Sequence, residues 1–332
     1  MRLDRRSAGH LWWQLLGCLL LGSLNGAGGA AAGSIVGGSQ HSCALTGVTM
    51  NIAVCWGSNE FQQLNNDVDR SYVKISSGMT YTAGLLNTSK VHYWGTLDTS
   101  FLAGSSSMEL EGFETAQGAV LDANLDCLDV STGGAHVCLI LTDRMLFCFG
   151  WNVNGQASPP HPADQYLQVT CGKMHTCAVR NDNNKVDCWG NDIYGQITVT
   201  PDVEYSTIQS SLWTTCGIAK GNHSIHCWGR DDRGQASPPP GEFTQVAIGE
   251  QHGCALTRPA ADVFGNRVPW GAIQCWGDEF HGQGLAPSGD FLALGAGDKH
   301  TCARRVDGAF LCWGLAIAIA TLAAPPPPFN PP

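Results

Sequence analysis

Short apolar segments separated by glycine-containing turns recur along the chain. Residues Phe243 to Ile248 form one such segment, Gly249 to Gln251 a turn, His252 to Leu256 a second segment and Ala272 to Trp276 a third. A loop then follows and ends at Gly282-Gln283. Short apolar runs bounded by glycine are typical of strands, because helices need longer runs with a 3.6-residue period. The pattern therefore predicts an all-β chain.

The same pattern returns as a repeat of about 39 residues. Its core is Gly-x-x-His-x-Cys-Ala-Leu, followed after about ten residues by Val-x-Cys-Trp-Gly. Seven copies align on the aromatic residue of the second phrase: Trp56, Trp94, Phe149, Trp189, Trp228, Trp276 and Trp313. Extra residues lie between Gly95 and Gly133 and between Leu256 and Gly271. A period near 40, with short strands and glycine turns, predicts one propeller blade per copy.

Seven such units predict a seven-bladed β-propeller over residues 33–329. A single small sheet cannot bury both of its faces, whereas a ring of stacked sheets can and leaves only short edges. The proline-rich segment 325–332 has two interpretations. It either completes the loop that leads back to the first blade or forms a free extended linker.

The first 32 residues predict a secretory signal peptide. Three arginines precede an apolar run from Leu11 to Leu24, and Ala30 to Ala32 fits a small-residue cleavage site. Without this leader the chain holds 15 lysines and arginines against 27 acidic residues, a net charge of −12. Such a surface repels phosphate, so nucleic-acid binding is not expected. The sequence thus predicts an extracellular, secreted protein.

Twelve cysteines occupy two fixed positions in six of the seven copies. In the second copy both positions are changed together, to Ala83 and Tyr93, as expected for bonded pairs. Opposed residues of antiparallel strands are close enough for a disulfide. A zinc site would have only three ligands per blade, so neither a metal nor any other cofactor is expected. The predicted within-copy disulfides are Cys43–Cys55, Cys138–Cys148, Cys177–Cys188, Cys216–Cys227, Cys254–Cys275 and Cys302–Cys312.

Two further cysteines and two glycosylation motifs lie outside this scheme. Cys127 and Cys171 either bond to each other across blades or remain free buried thiols. Asn87 and Asn222 each begin an Asn-x-Ser sequence, the acceptor for an N-glycan in a secreted protein. The five repeat histidines are expected to make structural hydrogen bonds within their own blades. The repeat tryptophans are expected to pack in the core.

Taken together, these phrases resemble a known repeat family. The Gly-x-x-His-x-Cys-Ala-Leu and Val-x-Cys-Trp-Gly phrases and the Gly-Gln pairs are similar to the regulator-of-chromosome-condensation repeat superfamily, including the beta-lactamase inhibitor protein II branch. The paired cysteines resemble those of crinkly-type plant receptor ectodomains. The resemblance covers residues 34–330. It implies a seven-bladed propeller whose loops bind proteins and which has no shared catalytic residue.

Function is expected to be binding rather than catalysis. None of the sequence motifs of hydrolases, metalloproteases or phosphate-binding loops is found, so the chain is not expected to be an enzyme. The insertion in the sixth copy carries cationic and aromatic residues of the kinds enriched in interfaces, and it is the candidate binding loop: Arg258, Phe264, Arg267 and Trp270.

The expected partner is a protein or a cell-surface glycan, bound by a monomer without a membrane span. Two alternatives are that the chain is the ectodomain of a receptor-like kinase or a secreted enzyme inhibitor. A third class, a secreted enzyme that uses loop carboxylates such as Asp231, remains as the catalytic alternative.

Overall fold

The computed structural model describes residues 34–46, 51–66, 69–96, 125–198, 202–261 and 268–315. The predicted leader, the proline-rich segment and the loop residues Phe264 and Arg267 lie outside these ranges. All regular structure within them is β-strand. In this part of the chain there is no helix that is long and apolar enough to cross a membrane.

Twenty-one strands form seven antiparallel sheets of three strands each, numbered here as blades one to seven in chain order. Each blade contains an inner, a middle and an outer strand, consecutive in sequence. The strands are β1 Ile35–Gly37, β2 His41–Thr46, β3 Ile52–Gly57, β4 Tyr72–Ser77, β5 Tyr81–Leu86, β6 Val91–Gly95, β7 Cys127–Thr132, β8 His136–Leu141, β9 Leu146–Gly150, β10 Tyr166–Cys171, β11 His175–Arg180, β12 Val186–Gly190, β13 Tyr205–Ser210, β14 Thr214–Ala219, β15 Ile225–Gly229, β16 Phe243–Ile248, β17 His252–Thr257, β18 Ile273–Gly277, β19 Phe291–Ala296, β20 His300–Arg305 and β21 Phe310–Gly314.

This arrangement confirms the all-β, seven-bladed propeller and the three strands per repeat. The three-stranded arrangement is also present in the blades whose sequence repeats are least regular. Blade two lacks both cysteines, yet Ala83 and Tyr93 face each other in the same register that the cysteines occupy elsewhere. The inner strand described for blade one, Ile35–Gly37, has three residues.

The hydrophobic core lies between blades rather than inside them. Seven clusters of buried residues each combine side chains from two neighbouring blades. One of them joins Ile35, Ala44 and Trp56 of blade one to Cys302 of blade seven. The last blade therefore packs on the first and the ring is closed. Because each blade buries its faces on its neighbours, no blade has a complete core of its own.

Polar side chains also fasten neighbouring inner strands. The amide of Gln168 donates to the carbonyl of Ile208 over 2.9 Å, and its oxygen accepts from the Ile208 N–H over 3.0 Å. Gln245 makes the same pair of hydrogen bonds to Leu294 in blade seven. At the boundary of blades two and three, an ion pair between Lys74 and Asp129 joins the inner strands instead. Inner strands are parallel to one another and cannot form a continuous sheet here, so side chains satisfy their exposed backbone groups.

Six disulfides link the middle and outer strands of six blades, as the paired cysteine positions predict. The bonded residues are direct partners in the strand register, with Cα atoms 4.0 to 4.1 Å apart. The middle-strand cysteines are fully buried. Each bond thus ties the outer strand, which is hydrogen-bonded to one strand only, to the middle strand, which lies between two strands.

Of the two alternatives for Cys127 and Cys171, the structure has free buried thiols and not a bond between them. Cys127 begins the inner strand of blade three, whereas Cys171 ends the inner strand of blade four. The two strands are equivalent and parallel, so their opposite ends are separated by about 16 Å at roughly 3.3 Å per residue. That distance is well beyond the reach of a disulfide.

Candidate binding rim

Strand order gives the propeller two different rims. The turn between inner and middle strands lies at the same end of the blade as the last residue of the outer strand: His175 is opposite Gly190, and Cys171 is opposite Thr176. The hairpin between middle and outer strands lies at the other end. We call the first end the turn rim, which carries the Gly-x-x-His turns and the loops that leave the outer strands. The second end is the hairpin rim.

The loops that leave the outer strands are held in one shape by their glutamines. Gln156, Gln196, Gln235 and Gln283 are fully buried, and each accepts a hydrogen bond from the backbone N–H two residues earlier. The backbone carbonyl of Gln156 also accepts the indole N–H of Trp189 in the next blade, over 2.9 Å. The Gly-Gln pair is therefore a packing device that fixes the loop to the neighbouring blade.

Acidic and amide side chains cap the same loops. Asp231 accepts from the backbone N–H of Ala236 and from the Ser237 hydroxyl, both over 2.8 Å. Asn152 and Asp192 occupy the same position and accept equivalent backbone N–H groups. Asp231, suggested as a carboxylate for catalysis, thus makes loop-capping hydrogen bonds of a kind that recurs in other blades.

The rigid loops present large side chains to solvent at their tips. Val153, Ile193 and Phe280 stand two residues before the loop glycine in blades three, four and six, and they are 61%, 65% and 85% exposed. Blade five has Asp232 at this position. Because the loop backbones are fixed, these side chains occupy defined places on the turn rim.

Beside Ile193 lies a stack of aromatic and cationic side chains. The rings of Tyr194 and Trp213 meet edge to face, with centroids 5.6 Å apart. The guanidinium of Arg230 lies over Tyr194 at 5.4 Å, and the ammonium of Lys173 lies over Trp213 at 5.6 Å. We call these four residues the Tyr194–Trp213 cluster. They come from the turns and loops of blades four and five.

The cluster is partly exposed and carries charge. Tyr194 is 44% exposed, and the other three residues are half-buried. A hydrogen bond from Arg230 to Asp232, 2.7 Å long, raises the pKa of the arginine and lowers the pKa of the carboxylate. The cluster therefore combines two aromatic faces with the side chains of one lysine and one arginine on a protein whose net charge is negative.

The predicted binding loop lies at the opposite end of the molecule. Its described ends, Arg258 and Trp270, are on the hairpin rim of blade six. Arg258 forms an ion pair with Glu242 over 3.5 Å, and Trp270 is half-buried. Phe264 and Arg267 fall outside the described residues, so whether the four side chains form one surface stays a prediction.

Both glycosylation motifs also lie on the hairpin rim. Asn87 is in the hairpin of blade two and Asn222 in the hairpin of blade five, and both side chains are exposed. The turn rim and the hairpin rim therefore differ in kind. One carries the Tyr194–Trp213 cluster, and the other carries the two acceptor asparagines.

The repeat histidines hydrogen bond between blades, which corrects the expectation of bonds within blades. The Nε2 atoms of His41, His136, His175 and His252 each lie 2.8 Å from a threonine hydroxyl of the next blade. The Thr176 hydroxyl in turn donates to the Gln156 carbonyl, so His136 donates to Thr176 through Nε2–H. Burial lowers the pKa of His41, His136 and His252 to about 3, and that of His175 and His300 to about 4.

The only group of potential metal ligands among the described residues is His136, Cys138 and Cys171. Cys138 is bonded to Cys148 and therefore offers no thiolate. The central channel of the ring is also small, about 110 Å³, and is lined by backbone and short side chains such as Ser77, Thr132 and Ser210. The exposed loop tips and the Tyr194–Trp213 cluster make the turn rim the best candidate for molecular recognition.

The cluster residues could have been found from the sequence by reading the variable positions of the repeat. Lys173 and Trp213 occupy the two variable positions of the Gly-x-x-His turn in blades four and five. Tyr194 occupies a variable position of the loop that ends in Gly-Gln. Their proximity depends on the packing of neighbouring blades, which a linear reading of one repeat does not show.

Comparison with known proteins agrees with this architecture. The model of the regulator of chromosome condensation (RCC1) repeat matches residues 128–156 and 167–196, in blades three and four. The chain is similar to the ultraviolet-B receptor UVR8 of Arabidopsis thaliana, with 27% identity over 195 residues. That match covers 51% of this chain and only 43% of UVR8.

Two solved ectodomains have a similar fold. The ectodomain of the Physcomitrella patens receptor kinase CR4 has a TM-score of 0.67 and 21% identity, over 85% of this chain and 73% of the other. The CRINKLY ectodomain of the Arabidopsis thaliana receptor kinase ACR4 has a TM-score of 0.67 and 22% identity, over 86% of this chain and 95% of the other. At these identities the likeness concerns the fold alone.

Proposed function

We propose that this chain, a disulfide-bonded propeller of the regulator-of-chromosome-condensation repeat family, is an extracellular, non-catalytic module that binds a protein through its turn rim. The Tyr194–Trp213 cluster is the observation that carries this proposal. Tyrosine, tryptophan and arginine are the residues most enriched among those that dominate interface energies. Here they stand together on loops whose shape is already fixed.

The extracellular assignment is supported by the disulfides. Six bonds within one chain are stable in an oxidising compartment and rare in the cytosol, where thiols are kept reduced. The signal-like leader supports the same compartment. The ectodomain folds of the two receptor kinases are also compatible with it.

The choice of rim is supported by the glycosylation motifs. N-glycans at Asn87 and Asn222 would cover the hairpin rim at blades two and five and leave the turn rim open. A protein partner could then approach the turn rim without meeting a glycan. This orientation also explains why exposed apolar tips such as Ile193 and Phe280 can be kept on that rim.

Binding would use loops that need little ordering. The buried glutamines and the capping carboxylates already hold the backbone, so a partner does not have to provide the free energy for fixing it. The two aromatic faces would be desolvated at the centre of the interface. Lys173 and Arg230 favour a partner whose contact surface carries carboxylates.

A second candidate is that the same propeller is the ligand-binding ectodomain of a receptor. The similarity of its fold to the CR4 and ACR4 ectodomains favours this interpretation. The proposed binding rim is the same in both cases. A full-length transcript that encodes an apolar stretch of about 20 residues after the propeller would identify the receptor form.

The test is cell-surface binding by a tagged, dimerised form of the secreted protein, with Tyr194→Ala and Trp213→Ala as the variants. We expect each to weaken binding about tenfold or more, as for residues at the centre of an interface. The matched control is Val306→Ser, an exposed apolar position on the hairpin rim. Thermal unfolding of each variant checks that the fold is intact.

Treatment of the cells separates the two kinds of partner. Loss of binding after mild proteolysis, with retention after glycosidase treatment, supports a protein partner. The opposite pattern would replace the protein with a glycan. Binding that is unchanged by both cluster variants but reduced by Arg258→Ala would move the binding site to the hairpin rim and overturn the proposal.

A further inference from the structure

Cys171 is a buried free thiol at a position where other blades have no sulfur. It is the last residue of the inner strand in blade four. In blades two and five this residue is Ser77 or Ser210, whose hydroxyl lies 3.0 or 2.8 Å from a threonine of the middle strand. Cys171 keeps the equivalent contact with Thr176 through its sulfur. A hydroxyl therefore suffices for packing here, and the thiol adds chemistry that packing does not need.

The sulfur of Cys171 lies beside the disulfide of the neighbouring blade. Its Sγ, the Sγ of Cys138 and a ring nitrogen of His136 are all within 4.8 Å of one another. The backbone confirms this placement: the Cys171 N–H donates to the hydroxyl of Ser131 over 3.0 Å, and Ser131 is the direct register partner of Cys138. A free thiol therefore faces a disulfide across the boundary of blades three and four.

We propose that Cys138, Cys148 and Cys171 form an exchangeable set of three sulfurs. The thiolate of Cys171 attacks Sγ of Cys138, a Cys138–Cys171 bond forms and the Cys138–Cys148 bond breaks. Cys148 leaves as a thiolate and takes up the proton that Cys171 released. One disulfide and one thiol are present before and after, so the step needs neither an oxidant nor a reductant.

Exchange would change the propeller in two ways. The new bond joins blade three to blade four covalently, whereas the original bond joins two strands within blade three. The released Cys148 is half-buried on the outer strand, so its thiol becomes available to external disulfides. The inner, buried Cys171 offers no such access. Exchange therefore converts a hidden thiol into one near the surface.

Burial makes the reaction slow in the resting protein. It raises the pKa of the Cys171 thiol to about 12, although hydrogen bonds from neighbouring groups act in the opposite direction. Since the thiolate is the nucleophile, the rate should rise about tenfold for each unit of pH increase below that pKa. The set would respond to conditions that expose or deprotonate Cys171 and would remain in its original pairing otherwise.

The experiment is a disulfide map of the intact protein after incubation at about pH 7.5 and about pH 9.5, two units apart on the rising limb of the thiolate titration. Samples are quenched in acid, unfolded in denaturant, alkylated and digested without reduction, so that buried thiols are alkylated as well. We expect alkylated Cys127 and Cys171 at the start. At the higher pH, a Cys138–Cys171 peptide pair and alkylated Cys148 should appear together about one hundred times faster than at the lower pH.

Two variants make the result decisive. Cys171→Ser, which places the hydroxyl of Ser77 and Ser210 at this position, should abolish the labelling of Cys148. Cys127→Ser removes the other free thiol of the described residues and should leave the exchange unchanged. The proposal is overturned if Cys148 is labelled equally in Cys171→Ser or if no Cys138–Cys171 pair forms in the native chain. It is also overturned if the other five disulfides rearrange to the same extent, because unfolding would then drive the reaction.

Discussion

The Nε2 atom of His300, in blade seven, lies 2.7 Å from the hydroxyl oxygen of Ser42, in blade one. The two residues are 258 positions apart in sequence. Their hydrogen bond repeats, at the closure of the ring, the histidine–threonine bonds found at four other boundaries. Backbone contacts accompany it, since the Asp298 N–H donates to the Gly38 carbonyl over 3.3 Å. The ring is thus closed by the same interaction that joins consecutive blades.

The boundary of blades seven and one should be the most sensitive to loss of its histidine. His300→Ala removes a buried hydrogen bond and leaves a cavity, which should lower the free energy of unfolding by about 1–3 kcal/mol. It should also speed hydrogen exchange in β1 and β21, because no short loop holds these two blades together. Native-state hydrogen exchange followed by mass spectrometry measures both effects.

The matched control is His175→Ala, which removes the same bond between blades four and five. A loop connects blades four and five, so the rate of hydrogen exchange in β1 and β21 should be unchanged by this variant. Equal protection of the closure in both variants would show that the His300–Ser42 bond does not hold the ring shut.

Acid should destabilise the propeller in a predictable pH range. The pKa values of the five buried histidines are lowered to about 3 or about 4, whereas in the unfolded chain they return to about 6.5. Between these values the unfolded state binds more protons than the folded state. Stability is therefore present above about pH 6.5 and falls as the pH drops, with a slope for each histidine that approaches about 1.4 kcal/mol per pH unit well below that pH.

Urea unfolding at about pH 7, 6 and 5, across the titration of an unfolded histidine, measures this slope. His252→Gln should reduce it by up to about 1.4 kcal/mol per pH unit at the acidic end of this range, because one proton is removed from the difference between the two states. A variant with the native slope would show that His252 binds protons equally in the folded and unfolded states. His226, which lies on an outer strand and is only partly buried, provides the control position.

Much of the fold could be predicted because its signals are local. The disulfide partners lie within 10 to 21 residues of each other, and the strands and turns around them recur in each copy. Even the irregular loop residue Gln62, at a position that is glycine in other blades, adopts the same left-handed backbone, with φ of 62° against 79° for Gly155. The repeat therefore specifies backbone conformation even where one residue departs from it.

The parts that the sequence did not predict depend on contacts between copies. The histidines bond to the next blade, and Cys127 and Cys171 lie at opposite ends of equivalent strands. Cys127 is the first residue of an inner strand, a position at which five other blades have a buried Tyr or Phe. It is therefore a small residue in an aromatic position. Reading one repeat at a time shows neither relationship, because the histidine bonds arise only when blades are stacked and the cysteine positions appear only when the copies are compared.

A seventh disulfide should form in blade two if its two positions without cysteine are both changed to cysteine. Ala83 and Tyr93 are direct register partners, and bonded cysteines in this register have Cα atoms 4.0 to 4.1 Å apart in the other blades. The new bond would close a loop with a sequence separation of 10 residues, as Cys138–Cys148 does. Loop closure of this size should stabilise the fold by about 2–3 kcal/mol.

The control for Ala83→Cys/Tyr93→Cys is Ala83→Ser/Tyr93→Ser, because both double variants lose the buried Tyr93 ring and differ in the bond. We expect the cysteine variant to unfold at higher urea concentration than the serine variant by the amount above. A non-reducing peptide map must show that the two introduced cysteines are bonded to each other for the comparison to count. If that bond forms without any gain over the serine variant, the native disulfides contribute little through loop closure. The absence of a disulfide from blade two would then cost the propeller almost no stability.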